Sequence, residues 1–235
     1  MDSLKANRLL ASFSPSALEL IAPHLRAVEL PHGESLQKAS DRVETVYFPT
    51  RGMISLVALT DGGHAVESGL VGREGALNGF EAIHDLPAFG EAMVQAAGQA
   101  LTLSAALLRT TALKTPEVIE TIGRAQATLM VQARQSAACN ATHALEARLA
   151  RWLLQTRDRV ESNTLPLTQE FLAIMLGVQR TSVTGTIGNL STLKLIKQHR
   201  GSVEIIDLEG LKAASCDCYE IVNAYIHRVS GTANL

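Results

Sequence analysis

The chain has 235 residues, of which 46% are hydrophobic and 19% are charged, and its formal net charge is −2. This composition predicts a packed core and excludes general disorder, and the length suits one large domain or two modest ones. A slightly acidic chain carries no overall charge signature of nucleic-acid binding, so any such surface has to be local.

The N-terminus and the cysteines bear on the cellular compartment. The stretch MDSLKANRLL lacks the apolar core of a signal peptide, and the longest uncharged stretch, residues 92–108, is too short and too interrupted to span a membrane. Three cysteines, Cys139, Cys216 and Cys218, are an odd number and do not indicate a secreted disulfide framework. We therefore expect a cytoplasmic protein with no membrane partner.

The first 28 residues or so are predicted to be helical, because Ser14 can cap a helix whose first turn contains Pro15. From about residue 29 to residue 108, short β-rich runs alternate with glycines. These runs are ETVYF, MISLVAL, HAVESGLV, EAMVQA and ALTLSA, and TDGGH between the second and third is a strong hairpin-turn signal. Many short strands with regular turns indicate a β-sandwich or barrel.

Residues 116–160 are predicted to form one long helix, since they are rich in Ala, Leu, Arg, Gln and Glu. One face repeats at alternating spacings of three and four residues, which is typical of a coiled-coil seam. Its members are Ile119, Ile122, Gln126, Leu129, Ala133, Ser136 and Asn140. We expect this seam to meet a second copy of the chain. The alternative is a helix that covers its own β domain.

A predicted linker over residues 161–169 ends at a helix that Thr168 can cap. The run QEFLAIML has one apolar face, Gly177 ends it, and helical apolar spacing resumes over residues 179–190. Two short helices joined by a glycine turn are typical of a helix-turn-helix. The alternative is a helical hairpin inside an ordinary core.

The polar face of the second helix carries short side chains, which would let it lie deep in the major groove of DNA. Arginine can make a bidentate contact to guanine, glutamine can bind adenine, and threonine methyl groups can touch thymine. The candidate DNA-binding residues, on this helix and beside it, are Thr168, Gln169, Gln179, Arg180, Thr181, Ser182, Thr184, Asn189, Lys197 and Arg200.

The segments LIKQ and VEII flank a turn, HRGS, and this pattern predicts a β-hairpin wing after the second helix. Between residues 168 and 200, four cations (Arg180, Lys194, Lys197 and Arg200) stand against one anion, Glu170, so the local charge is +3. Local positive charge on an acidic chain is what phosphate contact needs. The alternative is a protein-interaction module whose winged helix docks on a protein and whose β domain is a degenerate ligand-binding fold.

A glycine-punctuated β-roll, a long helix and a winged helix-turn-helix, in this order, resemble the bacterial transcription regulators of the cAMP receptor protein and fumarate–nitrate regulator (Crp/Fnr) family. The most specific stretch is LTQEFLAIMLGVQRTSVTGTIGNLSTLKLI. The resemblance implies a homodimer on a two-fold symmetric operator, with Arg180, Thr181 and Thr184 facing bases and Thr168, Gln169 and Ser182 on phosphates. RNA polymerase is a further candidate partner. Family members often carry a longer polar residue at the position of Gly185.

The resemblance is weaker on the ligand side. The turn GLVGREGALNGF is similar to the first half of the family's phosphate-binding motif, and it makes Gly72, Arg73, Glu74 and Gly75 candidate effector-binding residues. In cAMP-binding members an arginine follows on the next strand, but here Glu91 stands at about that position, and a carboxylate repels a cyclic phosphate. We do not expect cAMP binding, and the effector stays unknown.

An iron–sulfur cluster is not expected, because the family's redox branch clusters cysteines near the N-terminus, which has none here. A haem is not expected either, because the seven histidines show no i, i+4 pairing. Cys216 and Cys218 form a C-x-C pair, but two thiolates fall short of the usual four metal ligands, so no metal site is expected. A thiol switch and an incidental pair are the open interpretations, and the second is favoured.

The common nucleophile, zinc-protease and nucleotide-loop motifs are absent from the sequence, so we do not expect an enzyme. The sequence predicts an α+β chain in three parts. A β-roll (jelly roll) similar to cyclic-nucleotide-binding domains, with N-terminal helices, covers residues 1–115. A dimerisation helix covers residues 116–160, and a winged helix-turn-helix covers residues 161–235.

Overall fold

The computed structural model describes residues 2–59 and 65–230. Three short helices, α1 (Asp2–Ala6), α2 (Arg8–Ala11) and α3 (Pro15–Ile21), open the chain, and a 3-10 turn, Ala22–His24, follows. The Ser14 side chain accepts a hydrogen bond from the Ala17 amide at 3.3 Å, and Pro15 stands in the first turn of α3. The predicted cap is therefore confirmed, although the segment forms several short helices.

The N-terminal domain is built on one antiparallel sheet. Its strands are β1 (Arg26–Leu30), β2 (Ser35–Gln37), β3 (Thr45–Leu59), β4 (Ala65–Val71) and β5 (Glu91–Ser104). The order is β1-β5-β3-β4, and β2 also pairs with β5. Helix α4 (Gly79–His84) lies between β4 and β5, and α5 (Ala105–Lys114) follows β5. The predicted hairpin turn at TDGGH, residues 60–64, lies outside the described residues, between the paired strands β3 and β4.

Two expected pairs of short strands are in fact two long strands. All of MISLVAL and all but the first residue of ETVYF lie in β3, while all of EAMVQA and all but the last residue of ALTLSA lie in β5. The register between β3 and β5 shifts at several places, so bulges bend the strands without ending them. Gly52 sits at one bulge with φ 79°, and a Cβ there would stand 2.4 Å from the Ala96 carbonyl oxygen. In the sequence this glycine suggests a turn between two strands. In the structure Gly52 instead allows β3 and β5 to approach each other closely at the bulge.

The predicted single helix over residues 116–160 is wrong at one point. It is two helices, α6 (Glu117–Thr142) and α7 (Leu145–Val160), and the backbone at His143 and Ala144 is extended. Neither residue is a strong helix breaker, so propensity alone does not place the break. Tertiary packing accounts for it, because α7 is buried along most of its length.

The C-terminal domain consists of β6 (Thr164–Leu165), α8 (Gln169–Leu176), α9 (Arg180–Thr192), β7 (Ile196–His199), β8 (Ser202–Ile205), α10 (Leu208–Ala214) and α11 (Cys218–Ser230). Its three strands pair in the order β6-β8-β7. Helix α7 contributes Leu149, Trp152 and Leu153 to the same core as the buried faces of α8 and α9. The bulky apolar residues of α7 therefore dock on the domain that follows them.

Buried polar contacts connect the two domains. The Trp152 indole donates to Glu67 Oε1 on β4 at 2.8 Å, and Arg159 Nε lies 2.8 Å from Glu74 Oε1. Burial raises the pKa of the Glu67 carboxyl to about 7, although hydrogen bonds from Ser55 and Trp152 oppose this shift. Among the described helices, none is long and apolar enough to cross a membrane.

Candidate nucleic-acid interface

The first helix of the helix-turn-helix begins and ends at the predicted residues. The Thr168 hydroxyl accepts a hydrogen bond from the Phe171 amide at 3.2 Å, which satisfies one free N–H of the first turn of α8. Gly177 ends α8 in the left-handed conformation, with φ 63°. Val178 is half-buried in the turn, and Gln179 is the N-cap of α9. The turn therefore sets the direction in which α9 leaves the domain core.

Helix α9 has one buried face and one exposed face. Val183, Thr186, Ile187 and Leu190 are buried against the domain core. The exposed residues are Arg180, Thr181, Ser182, Thr184, Gly185, Gly188 and Asn189, and Gln179 before them is also exposed. The polar face predicted from the sequence is therefore available to a partner and is not packed inside the protein.

The two glycines of α9 are not required by packing within the chain. A Cβ built at Gly185 or Gly188 meets no other atom within 4 Å. Glycine costs about 1 kcal/mol relative to alanine inside a helix. No residue of the chain packs against Gly185 or Gly188. The missing side chains therefore leave room for a binding partner to approach the helix closely from outside.

The wing forms as predicted, from β7 and β8. The tight turn between them contains Gly201 at φ 78°, a conformation that glycine adopts without steric cost. Lys197 and Arg200 are exposed, while Val203 and Ile205 are buried on the domain side. The hairpin thus presents its cations outward and anchors itself through apolar residues.

A cavity of about 280 Å³ lies where the wing, the start of α8 and the start of α9 meet. Thr168, Gln169, Arg180 and Arg200 all line it. The Thr184 hydroxyl lies 2.7 Å from the Gln169 side-chain oxygen and can donate to it. Candidate residues from three separate segments therefore share one continuous surface.

Arg180 and Asn189 each lie close to an acidic side chain of the same chain. Arg180 Nη1 lies 3.5 Å from Glu170 Oε2, and both side chains are about 70% exposed, at 67% and 73%. A pair this open to water contributes little stability, so Arg180 can exchange Glu170 for another acceptor. The Asn189 amide lies 3.4 Å from Glu146 on α7, so it stands at the edge of the surface, beside the domain junction.

The candidate effector residues in the β domain are already engaged. Arg73 pairs with Glu161, while Glu74 binds the buried Arg159 and also accepts a bond from the Gly72 amide at 3.3 Å. A Cβ at Gly72 would stand 2.7 Å from the Glu74 carboxylate. Gly75 accepts a bond from Asn7 through its carbonyl. This turn connects the β domain to the end of α7.

A separate cavity of about 320 Å³ lies between the sheet and α6. Glu81 and Glu91 line it, and no lysine or arginine does among the described residues that surround it. Leu129 and Met130 of α6 form part of its wall. The position suits a small molecule, but the charge does not suit a phosphate.

Cys216 and Cys218 have neighbours that the sequence did not reveal. Cys139 Sγ lies 3.4 Å from Cys216 Sγ, and His143 Nδ1 lies 3.5 Å from Cys218 Sγ. The three cysteines are buried free thiols. Burial and the neighbouring thiols raise the pKa of Cys216 to about 12. Counting two thiolates in the sequence missed Cys139 and His143. The i, i+4 spacing of those two within the predicted helix over residues 116–160 was the available signal.

The comparisons with known proteins agree with this geometry. Residues 147–214 match the family model of the Crp-like helix-turn-helix domain. The C-terminal region is a Crp-like helix-turn-helix domain. Its match starts within α7, in agreement with the core that α7 shares with α8 and α9. The resemblance read from the sequence is confirmed for this region.

Solved structures extend the likeness to the rest of the fold. FixK2 from Bradyrhizobium japonicum is 13% identical, with a TM-score of 0.69 over 82% of this chain and 98% of its own. CLP from Xanthomonas campestris, a c-di-GMP responsive global regulator, is 16% identical, with a TM-score of 0.67 over 82% and 99%. A CRP/FNR family transcriptional regulator from Thermus thermophilus is 22% identical, with a TM-score of 0.66 over 83% and 98%.

At such identities these structures establish the fold alone. The chain therefore has the α+β fold of Crp/Fnr transcription regulators, with an antiparallel β domain, the long helix α6 and a C-terminal helix-turn-helix. No curated protein sequence matches the chain.

Proposed function

We propose that this chain is a sequence-specific DNA-binding transcription regulator that acts as a homodimer on a two-fold symmetric operator. The observation that carries the proposal is the outward face of α9, which is exposed, small and uncharged except for Arg180. Arg180 and Thr181 are proposed to read base edges together with Thr184, since they project from the first two turns of the helix. Lys197 and Arg200 of the wing are proposed to bind phosphates.

Dimerisation is proposed to use α6, but through a face shifted from the predicted seam. Ile122 is 2% exposed and packs against the chain's own β domain, and Leu129 is partly buried there. Ile119 and Met130 are 40% and 55% exposed. With Gly123 between them, they lie four and seven residues apart, which places all three near one line along the exposed side of α6. One face of α6 thus covers its own domain, and the other is proposed to meet a second copy.

In functional terms, we propose a division slightly different from the one read from sequence. The β domain would extend to about residue 115, α6 would hold the dimer, and the DNA-binding domain would begin with α7. A response to cAMP is not part of the proposal, because Glu81 and Glu91 line the cavity beside α6 and Glu74 is paired with Arg159.

The test is selection of bound sequences from a random DNA pool by the full chain. The expected result is an enriched palindrome whose half-sites are centred about one helical turn, roughly 34 Å, apart. Binding should weaken steeply with salt, because phosphate contacts release counterions. Retention on heparin without enrichment of any sequence would contradict base reading. Absence of both would favour the alternative, a protein-docking winged helix.

A further inference from the structure

Four potential metal ligands meet where α6 ends. Cys139 lies on the last turn of α6, His143 at the break before α7, and Cys216 and Cys218 immediately before and at the start of α11. One ligand atom from each lies within 4.8 Å of the other three. Cys139 is fully buried, and His143 is half-buried. Two segments that are far apart in sequence, residues 139–143 and 216–218, thus converge on one small volume.

The spacing fits a single metal ion. Tetrahedral zinc holds sulfur at about 2.3 Å and nitrogen at about 2.0 Å, so neighbouring ligand atoms stand roughly 3.3 to 3.8 Å apart. Here the Cys139 and Cys216 sulfurs are 3.4 Å apart, and the Cys218 sulfur is 3.5 Å from His143 Nδ1. In a [4Fe–4S] cluster each thiolate binds a different iron, and in a [2Fe–2S] cluster the four ligands are divided between two irons, so the full set of ligands spreads further apart than around one metal ion.

The surroundings orient the ligands as a metal site requires. His143 directs Nδ1 toward Cys218, and its other nitrogen, Nε2, lies 3.5 Å from Asp217 Oδ1. A carboxylate behind a histidine ligand fixes the ring tautomer and strengthens the nitrogen donor. The Gln135 amide donates to Cys218 Sγ at 3.1 Å and thereby helps to hold that sulfur in place. The buried Arg148 guanidinium interacts electrostatically with Cys139 and Cys216.

We propose that Cys139, His143, Cys216 and Cys218 bind one zinc-class divalent metal ion at the junction of α6 and α11. The set of three cysteines and one histidine is a usual combination for a closed, structural zinc site. Bound metal would fix α11 to the end of α6. Helix α6 precedes the break at His143, whereas α11 belongs to the C-terminal domain that follows the break. The angle between the two domains would then depend on occupancy of the site.

The experiment uses the full chain, purified under reducing conditions from a zinc-supplemented culture, with metal content measured by mass spectrometry. The expected content is about one zinc per chain for the wild type and for the control His24→Gln, whose side chain is exposed and outside the cluster. Cys218→Ser and His143→Gln should each lower the content at least about tenfold, as a lost ligand weakens the site.

A spectroscopic measurement on the wild type keeps the test decisive if a variant fails to fold. Removal of metal with a chelator, followed by Co²⁺, should produce the thiolate charge-transfer and visible bands of a tetrahedral sulfur-rich site. A wild type with neither bound zinc nor these bands overturns the proposal. A disulfide between Cys139 and Cys216 in the purified reduced protein, or several irons per chain with inorganic sulfide, overturns it as well.

Discussion

Arg180 is proposed to read a base, whereas the exposed cations of the wing are proposed to bind phosphates, so mutation can distinguish the two roles. Arg180→Ala should weaken binding to the selected sequence by about 1–3 kcal/mol and relax the preference at one base position. Titration of labelled DNA duplexes that differ at that position measures both effects. An equal loss on random DNA would contradict base reading by Arg180.

Arg200→Ala is the matched control, because Arg200 is also an exposed cation but lies in the turn of the wing. Removing a phosphate contact should weaken binding about equally on all sequences and lower the salt slope by about 1. A sequence-dependent loss for Arg200→Ala would move base reading from α9 to the wing.

Glu67 makes the stability of the chain depend on pH. Its pKa is about 7 in the folded protein against 4.5 in an ordinary environment, and burial is the main cause. The stability linked to its proton is therefore fully present below pH 4.5 and is lost as the pH rises through about 7. From the size of the shift, the loss is at most about 3 kcal/mol.

Glu67→Gln should remove that dependence, because an amide cannot ionise and its oxygen can still accept from Trp152. Urea unfolding followed by circular dichroism at about pH 5 and about pH 8, on either side of the shifted pKa, measures the effect. Wild type should lose stability relative to the variant at the higher pH, whereas the exposed control Glu19→Gln should behave as wild type does. Parallel pH profiles for wild type and Glu67→Gln would show that Glu67 does not titrate in this range.

At the scale of the element, a substitution at a glycine of α9 should change the stability of the fold and the affinity for DNA in opposite directions. Gly185→Ala should stabilise the fold by up to about 1 kcal/mol, since alanine favours helix and the new methyl group meets nothing on the chain. The same methyl group should weaken DNA binding if α9 lies deep in the groove. Urea unfolding and duplex titration on one preparation measure the two effects. A more stable variant with unchanged DNA affinity would contradict a close approach at Gly185.

The elements that the sequence predicted well are those with local signals. Ser14 and Thr168 are N-cap residues that predict where helices begin. Gly177 predicts where a helix ends, and Gly201 predicts the turn of the wing. The break at His143 has no such signal, because it results from contacts of α7 with two domains. Likewise, Gly52 reads as a turn although it marks a bulge, since its cause is the crossing with Ala96 on a distant strand.

The candidate site divides in the same way. The polar face of α9 could be read from helical spacing, since Val183, Ile187 and Leu190 define the buried side. The cluster of cysteines and His143 could be read only in part. The spacing of Cys139 and His143 is local, but Cys139 and Cys216 are 77 residues apart, and only the packing of α11 on α6 brings them together. The exposed face of α6 could not be predicted from the sequence either, because only the structure shows that Ile122 packs into the core of the chain's own β domain.

At the scale of the whole molecule, the proposed dimer depends on the outer face of α6. Met130→Glu places a charge on this exposed apolar position and should shift the chain from dimer to monomer, because a charge buried between two copies is costly. Sedimentation equilibrium measures the mass. Leu113→Glu is the matched control, since Leu113 is 79% exposed on α5, away from this face. A Met130→Glu chain that sediments as wild type does would place the contact elsewhere.

Trp152 is the only tryptophan of the chain, and it stands at the junction of the two domains. Its indole is 1% exposed, donates to Glu67 of the β domain and lies 6.1 Å from the ring of Phe171 on α8. Any rearrangement that separates the halves would admit water to this ring and shift its emission to the red. The fluorescence of Trp152 thus reports on the contact between the two domains. Added metabolites can be tested by whether they shift this emission, with no label attached to the protein.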